Sequence, residues 1–175
     1  MINIFENVMD MNTLLVASLP IVYMLHDFEE IIMMKSWSES NEKYICQRFP
    51  KIGPRLVSHL KEMSVEGFAL CVAILFLSLG VVTLAALWTG VYSFWIGLFM
   101  AFSIHIVVHI IQWIVFQRYV PAIVTSLLCV PYCIYGFICV KNVFVSVDIL
   151  IYTLIMSVVL MVFLYAGHRY LAKLI

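Results

Sequence analysis

Charged residues are scarce in this chain. Only 11% of its 175 residues are Asp, Glu, Lys or Arg, whereas 65% are hydrophobic, and the mean hydropathy is +1.08. Soluble domains carry about 25% charged residues, so the composition excludes an ordinary soluble protein and indicates an integral membrane protein. Ten acidic side chains balance ten basic ones. Without an excess of either sign, the sequence gives no reason to expect a nucleic-acid partner.

Several familiar catalytic patterns are also missing. The sequence contains no Gly-rich phosphate loop, no GxSxG elbow and no HExxH zinc motif, which excludes the familiar soluble kinases and hydrolases. Its five cysteines include no CxxC pair, so we expect no structural disulfide.

Long apolar runs dominate the chain. Charges and turn residues divide it into five segments, at roughly 12–34, 65–88, 91–117, 120–140 and 143–166, each near the length that crosses a bilayer. We therefore predict an all-α membrane bundle of about five transmembrane helices, folded as a single domain over residues 1–175. The lipid bilayer is its first expected partner.

The basic residues predict an orientation. With five spans, nine of them fall on one side of the membrane and only Lys141 on the other, which places the N-terminus outside and the C-terminus inside. The polar segment at 35–64 is then a cytoplasmic loop, and its second half has helical spacing that suits an interfacial helix or the first turns of the second span. The nine basic residues are Lys35, Lys43, Arg48, Lys51, Arg55, Lys61, Arg118, Arg169 and Lys173.

The stretch "YMLHDFEEII", residues 23–32, places four ionisable groups in the first span. On a helix, His26, Glu29 and Glu30 project from one side, because they are spaced by three and four residues. Asp27 points roughly 100° away from His26, and we expect it to bond a neighbouring helix. A charge at the centre of a span costs about 2.5–3.5 kcal/mol on insertion scales, so these groups need partners.

The third span offers partners at a matching depth. The stretch "SIHIVVHIIQW" places His105, His109 and Gln112 on one stripe. At about 1.5 Å of rise per residue, His26 lies roughly 13 Å inward from Lys35, and His109 lies roughly 13 Å inward from Arg118.

The second span begins with a further acidic residue. Glu66 continues a stripe formed by His59 and Glu62 at spacings of three and four. Three helices are therefore expected to converge on one polar pocket near the cytoplasmic side, although His59 and Glu62 also fit a solvated helix face.

Imidazoles and carboxylates in a dry pocket suit a divalent metal, with zinc or iron favoured and manganese as an alternative. Glu29 and Glu30 are the predicted catalytic carboxylates, and Gln112 is a predicted hydrogen-bonding orienter. The opposing interpretation is a buried polar knot or a proton-sharing cluster that fixes the packing of the helices. The predicted metal ligands are His26, Glu29, Glu30, Glu66, His105 and His109.

The motif "HDFEE" resembles the signature of the HXXEE family of small bacterial and archaeal integral membrane proteins. The resemblance also covers a Glu early in the second span, histidines in the third and the stretch "YVPAIVTSLLCVP" in the fourth. Where the family pattern has Pro-Gly, this chain has Pro121-Ala122. The resemblance implies a multi-pass protein of the cell (inner) membrane with an enzymatic activity, and it names no reaction.

Three classes of function stay open on the sequence. The first is a metal-dependent hydrolase or oxidase acting on a lipid-like or otherwise hydrophobic small molecule. The second is a cation or proton transporter, although the spans show no inverted repeat, and a homo-oligomer would be needed to complete a path. The third is a noncatalytic membrane interaction or immunity-type protein.

Overall fold

The computed structural model describes residues 4–141 and 151–159, with side chains from residue 13 onward. None of these residues forms a strand, and the all-α fold is confirmed. The helices are α1 (Ile4–Arg48), α2 (Gly53–Glu62), α3 (Val65–Thr89), α4 (Ser93–Phe116), α5 (Ile123–Lys141) and α6 (residues 151–159).

Three helices of the described part are long and apolar enough to cross a membrane: α3, α4 and α5. They correspond to the predicted second, third and fourth spans. The predicted first span lies inside α1, and most of the predicted fifth span lies outside the described residues. The count of five spans and the orientation stay predictions.

The segment predicted as a polar loop at 35–64 is mostly helical. α1 continues through it to Arg48, because residues 35–48 contain no Gly or Pro to end the helix. Gly53 and Pro54 begin the separate helix α2, and Ser64 caps α3 by accepting a hydrogen bond from the Gly67 N–H at 2.9 Å. The second half of the segment is therefore its own helix and does not continue into α3.

Gly53 allows α2 to pack closely on α1. A Cβ at this position would come within 2.6 Å of the Ile45 carbonyl oxygen, closer than packed atoms tolerate. Ile45 and Val57 are buried in the contact between the two helices. The packing of α2 along the extended end of α1 therefore depends on a glycine at its first residue.

Pro20 interrupts the hydrogen-bond ladder of α1 and creates an attachment point for other helices. Proline has no N–H, so the Val16 carbonyl four residues earlier lacks its usual partner within the helix. The Trp95 indole of α4 donates to this carbonyl at 3.2 Å. The Tyr132 hydroxyl of α5 donates to the adjacent Leu15 carbonyl at 2.8 Å. Both helices are thereby fixed to α1 at the same height.

The core around this point is aromatic. The Trp95 and Phe99 rings stack with centroids 5.4 Å apart, and Leu19 is fully buried in the same cluster. Gly136 of α5 lies against the Phe99 ring so closely that a Cβ there would overlap it. This packing holds α4 between α1 and α5, and it sets the rotation of α4 that directs its histidines toward α1.

A tight connection joins α4 to α5. Gln117, which caps the C-terminus of α4, has φ 55°, and Ala122 just before α5 has φ 67°. Both values lie in the left-handed region that favours glycine. Ala122 adopts this conformation with its side chain fully buried.

We expect Trp95→Phe to lower the free energy of unfolding by about 1–3 kcal/mol, because it leaves the buried Val16 carbonyl without a donor. Denaturant unfolding of the protein in detergent micelles measures the change. Trp88→Phe is the matched control, since Trp88 is 91% exposed and its replacement should leave stability unchanged. Equal stability of the two variants would contradict the assigned role of the indole N–H.

Candidate metal centre

Three histidines meet between α1 and α4. One ring nitrogen from each of His26, His105 and His109 lies within 4.8 Å of the corresponding nitrogens of the other two. The ring centroids of His26 are 5.2 Å from His105 and 5.1 Å from His109. His105 and His109 are one turn apart on α4, and their Nε2 atoms form a hydrogen bond of 3.0 Å whose donor depends on the tautomers of the two rings. The three rings therefore point into one small volume.

These rings are largely shielded from the surface. His26 is fully buried and His109 is 4% exposed, whereas His105 is half-buried. The Phe102 ring packs edge-on against His26 with centroids 5.8 Å apart. Interactions between charges are stronger in such an environment than in water, and unpaired polar atoms are costly.

Two carboxylates lie beside the histidines. Asp27, Glu30 and His105 form a second group with ligand atoms within 4.8 Å of one another, so His105 belongs to both groups. The expectation that Asp27 points elsewhere is wrong: Asp27 is 4% exposed, and its Oδ1 lies 4.0 Å from His26 Nε2. α1 packs against several helices, so residues about 100° apart on it can both face the interior.

Three buried atoms of this region lack a hydrogen-bond partner among the described residues. They are His26 Nε2, Asp27 Oδ1 and His109 Nδ1. Buried polar atoms in folded proteins are nearly always paired, so facing atoms of this kind indicate a place for a cation, a proton or a water molecule. The His26 nitrogen and the Asp27 oxygen lie 4.0 Å apart.

Glu29 has a different environment from Glu30. Its carboxylate accepts hydrogen bonds from the Tyr119 hydroxyl at 2.8 Å, from the Val124 N–H at 3.3 Å, and from the Thr125 N–H and hydroxyl at 2.7 Å each. The two N–H groups belong to the first turn of α5, where amides have no partner within the helix. Glu29 of α1 thus acts as the N-terminal cap of α5, and the structure does not group it with the histidines.

The environment of Tyr119 beside the Glu29 carboxylate raises the pKa of its phenol. Burial raises the pKa of the Tyr119 phenol, and its hydrogen bond to the Glu29 carboxylate raises it further. The phenol therefore stays protonated and remains a donor to Glu29. The Trp37 indole in turn donates to the Tyr119 carbonyl at 2.7 Å, which ties the extended end of α1 to this capping network.

Three other residues of the predicted pocket, Glu66, His59 and Glu62, are exposed and do not belong to the histidine group. Glu66 is exposed in the first turn of α3, a position where the helix dipole favours an acidic residue. His59 and Glu62 are exposed on α2, and Glu62 accepts a hydrogen bond from Ser58 at 3.3 Å. The predicted stripe of His59, Glu62 and Glu66 therefore does not join the histidine group. Gln112 is exposed with its amide beside the His109 ring, and its role as an orienter stays a prediction.

The spacing of the histidine nitrogens fits metal coordination. Two imidazole ligands at about 2.0–2.1 Å from a tetrahedral zinc ion lie roughly 3.3 Å apart, close to the 3.0 Å between the Nε2 atoms of His105 and His109. His26 contributes a third ring nitrogen to the group, and its Nε2 atom has no hydrogen-bond partner among the described residues. Nitrogen and carboxylate donors together also suit iron, and manganese less well. The residues present therefore fit a divalent cation.

Replacing Glu29 by Gln should lower the free energy of unfolding by about 1–3 kcal/mol, because the amide removes the charge and one acceptor from the cap of α5. Denaturant unfolding in detergent micelles checks this, with Glu39→Gln as the control, since Glu39 is exposed on the same helix. Unchanged stability of Glu29→Gln would contradict the capping role.

Comparison with known proteins identifies the family of the chain. A search among curated proteins gives no match, and neither does a search among solved structures. A family model described as "Protein of unknown function with HXXEE motif" matches residues 17–136. The match covers well over half of the chain and includes all three clustered histidines, both adjacent carboxylates and the Glu29 cap. The chain therefore belongs to the HXXEE family.

Proposed function

We propose that this chain is an integral membrane enzyme that depends on a divalent metal ion held by His26, His105 and His109. The observation that supports this most directly is the pair formed by His26 Nε2 and Asp27 Oδ1, which are buried 4.0 Å apart without hydrogen-bond partners in the described part of the chain. One ring nitrogen of His26 also lies within 4.8 Å of a nitrogen of His105 and of a nitrogen of His109. A cation at this position would satisfy all of these atoms.

Charge balance favours the same assignment. Three neutral imidazoles bring no charge, whereas Asp27 and Glu30 bring two negative charges when ionised. Burying an unpaired carboxylate in an apolar bundle costs several kcal/mol. One divalent cation neutralises both acids, so the histidines can supply coordination bonds while the carboxylates supply the compensating charge.

The metal ion and the protein side chains would contribute different parts of the chemistry at this site. A bound divalent ion would supply Lewis-acid chemistry, and iron would add redox chemistry. Among the carboxylates, Glu30 is best placed to take a proton from a substrate or from an attacking water. It lies in the group with His105 and is half-buried, whereas the Glu29 oxygens are occupied by α5. Of the two carboxylates predicted as catalytic, Glu30 is therefore the one that we propose as the general base, with Asp27 beside it.

The surface next to the site favours a hydrophobic substrate. Leu25 and Phe28 flank His26 along α1 and are 57% and 45% exposed, and Ile104 and Val108 of α4 are 47% and 42% exposed. In a helix that crosses a bilayer, such residues contact lipid. A lipid-like molecule in the membrane would therefore approach the two helices that hold the site. We place the chain in the cell (inner) membrane as a five-span protein with its N-terminus outside.

Transport of a cation or proton is the second candidate. Buried histidines and acids that share a pocket are also the groups that carriers use for ions in transit. A metal that stays bound through purification favours the enzyme, whereas metal or proton flux across proteoliposomes containing the protein favours the carrier.

We expect the purified protein to bind about one zinc or iron ion per chain, and His26→Ala and His109→Ala to abolish that binding because each removes a coordinating nitrogen. Elemental analysis after size-exclusion chromatography measures the content. His59→Ala is the matched control, since His59 is exposed on α2 and its loss should leave the content unchanged. Circular dichroism confirms that the variants remain helical.

The proposal fails if wild-type protein supplied with zinc, iron and manganese retains none of them. It also fails if His26→Ala and His59→Ala bind the same amount, since the metal would then be held elsewhere.

A further inference from the structure

Thr125 joins the Glu29 cap to the histidine cluster. Its hydroxyl oxygen lies 2.7 Å from Glu29 Oε2 and 3.3 Å from His26 Nδ1. The same oxygen lies 3.3 Å from the His26 and Ala122 carbonyls. One hydroxyl of α5 thus contacts both a carboxylate and an imidazole of α1. The sequence alone did not single out this residue.

The hydroxyl carries one proton and must direct it to one acceptor. The Glu29 oxygen is the nearest of the four, and hydrogen bonds to an ionised carboxylate are stronger than those to neutral acceptors. The proton of Thr125 is therefore donated to Glu29. The lone pairs of the hydroxyl remain available, and the His26 Nδ1 atom lies within reach to donate to them.

The position of the Thr125 proton determines the tautomer of His26. A neutral imidazole carries its proton on one nitrogen only. If Nδ1 donates to Thr125, then Nε2 has a free lone pair, and Nε2 is the buried nitrogen that has no hydrogen-bond partner among the described residues. A metal ligand requires such a lone pair.

We infer that Thr125 is a positioning residue: with Glu29 it holds the His26 proton on Nδ1, so that the Nε2 lone pair faces the cation site. Histidines that bind metals commonly donate their other N–H to a carboxylate. Here a threonine hydroxyl stands between the histidine and the carboxylate. The chain of contacts runs from Glu29 through Thr125 to His26, and it links the start of α5 to the geometry of the site.

The tautomer can be read directly in the metal-free protein. In detergent micelles with ¹⁵N-labelled histidine, long-range ¹H–¹⁵N correlation spectra distinguish a ring protonated at Nδ1 from one protonated at Nε2, and the His26 signals are identified by their loss in His26→Ala. We expect His26 to be protonated at Nδ1 in the wild type. A His26 protonated at Nε2 overturns the inference without the need for any Thr125 variant.

Two substitutions test the Thr125 hydroxyl separately from the Thr125 backbone N–H. Thr125→Val keeps the shape of the side chain and the backbone N–H that donates to Glu29, so we expect α5 to remain capped while the His26 signals shift toward the Nε2-protonated form. Thr125→Ser restores a hydroxyl and should restore the wild-type signals. Thr83→Val is the control, because Thr83 is also buried but lies on α3 with no hydrogen-bond partner for its hydroxyl among the described residues. A Thr125→Val spectrum identical to that of the wild type contradicts the inference.

The consequence for metal binding rests on the proposed function and has its own measurement. Titration with Co²⁺ alone, followed by its visible absorption, should show about 10–100-fold weaker binding to Thr125→Val, recovery in Thr125→Ser and no change in Thr83→Val. Equal affinity of the wild type and Thr125→Val overturns the positioning role. If the wild type binds no Co²⁺ while the spectra show the Nδ1-protonated ring, the metal proposal fails and the assigned hydrogen-bond chain stands.

Discussion

The burial of His26 beside Asp27 is the constraint on which the rest of this structure depends. Their facing atoms lie 4.0 Å apart, both residues are at most 4% exposed, and neither atom has a hydrogen-bond partner in the described part of the chain. Burying an unpaired nitrogen and an unpaired oxygen in an apolar bundle costs free energy. The packing that holds α4 against α1, through Pro20 and Trp95, brings His105 and His109 to the same place. The cation that we propose would pair with all four groups.

The acidic residues of α1 have different environments, and their spacing along the sequence does not reveal this difference. Glu29 is fully engaged with the first turn of α5 and with Tyr119, so its charge is stabilised by donors that the protein itself supplies. Asp27 and Glu30 lie beside His105, and Asp27 also lies next to the Tyr23 hydroxyl. One carboxylate therefore caps α5, and the other two are those that the proposed chemistry would use. Thr125 links these roles because it contacts both Glu29 and His26.

Much of the fold follows from the sequence, because apolar runs of this length form helices in a bilayer and matching depths bring polar groups together. The residue spacing grouped His26 with His105 and His109, and the structure places these three rings in contact. Spacing along one helix does not give the rotation of that helix against its neighbours. For this reason Asp27 was expected to face away, and Glu66 was expected to face the pocket although it is exposed on α3. The capping role of Glu29 was also missed, since its partners lie about 90 residues away.

X-ray absorption spectroscopy at the metal edge of the purified, zinc- or iron-loaded protein tests the central claim most directly. The fine structure reports the number and distance of imidazole nitrogens around the ion. The account predicts three of them at about 2.0–2.1 Å for zinc, with oxygen donors completing the coordination. A spectrum dominated by water or sulfur ligands, or one that keeps its imidazole scattering unchanged in His109→Ala, would contradict it.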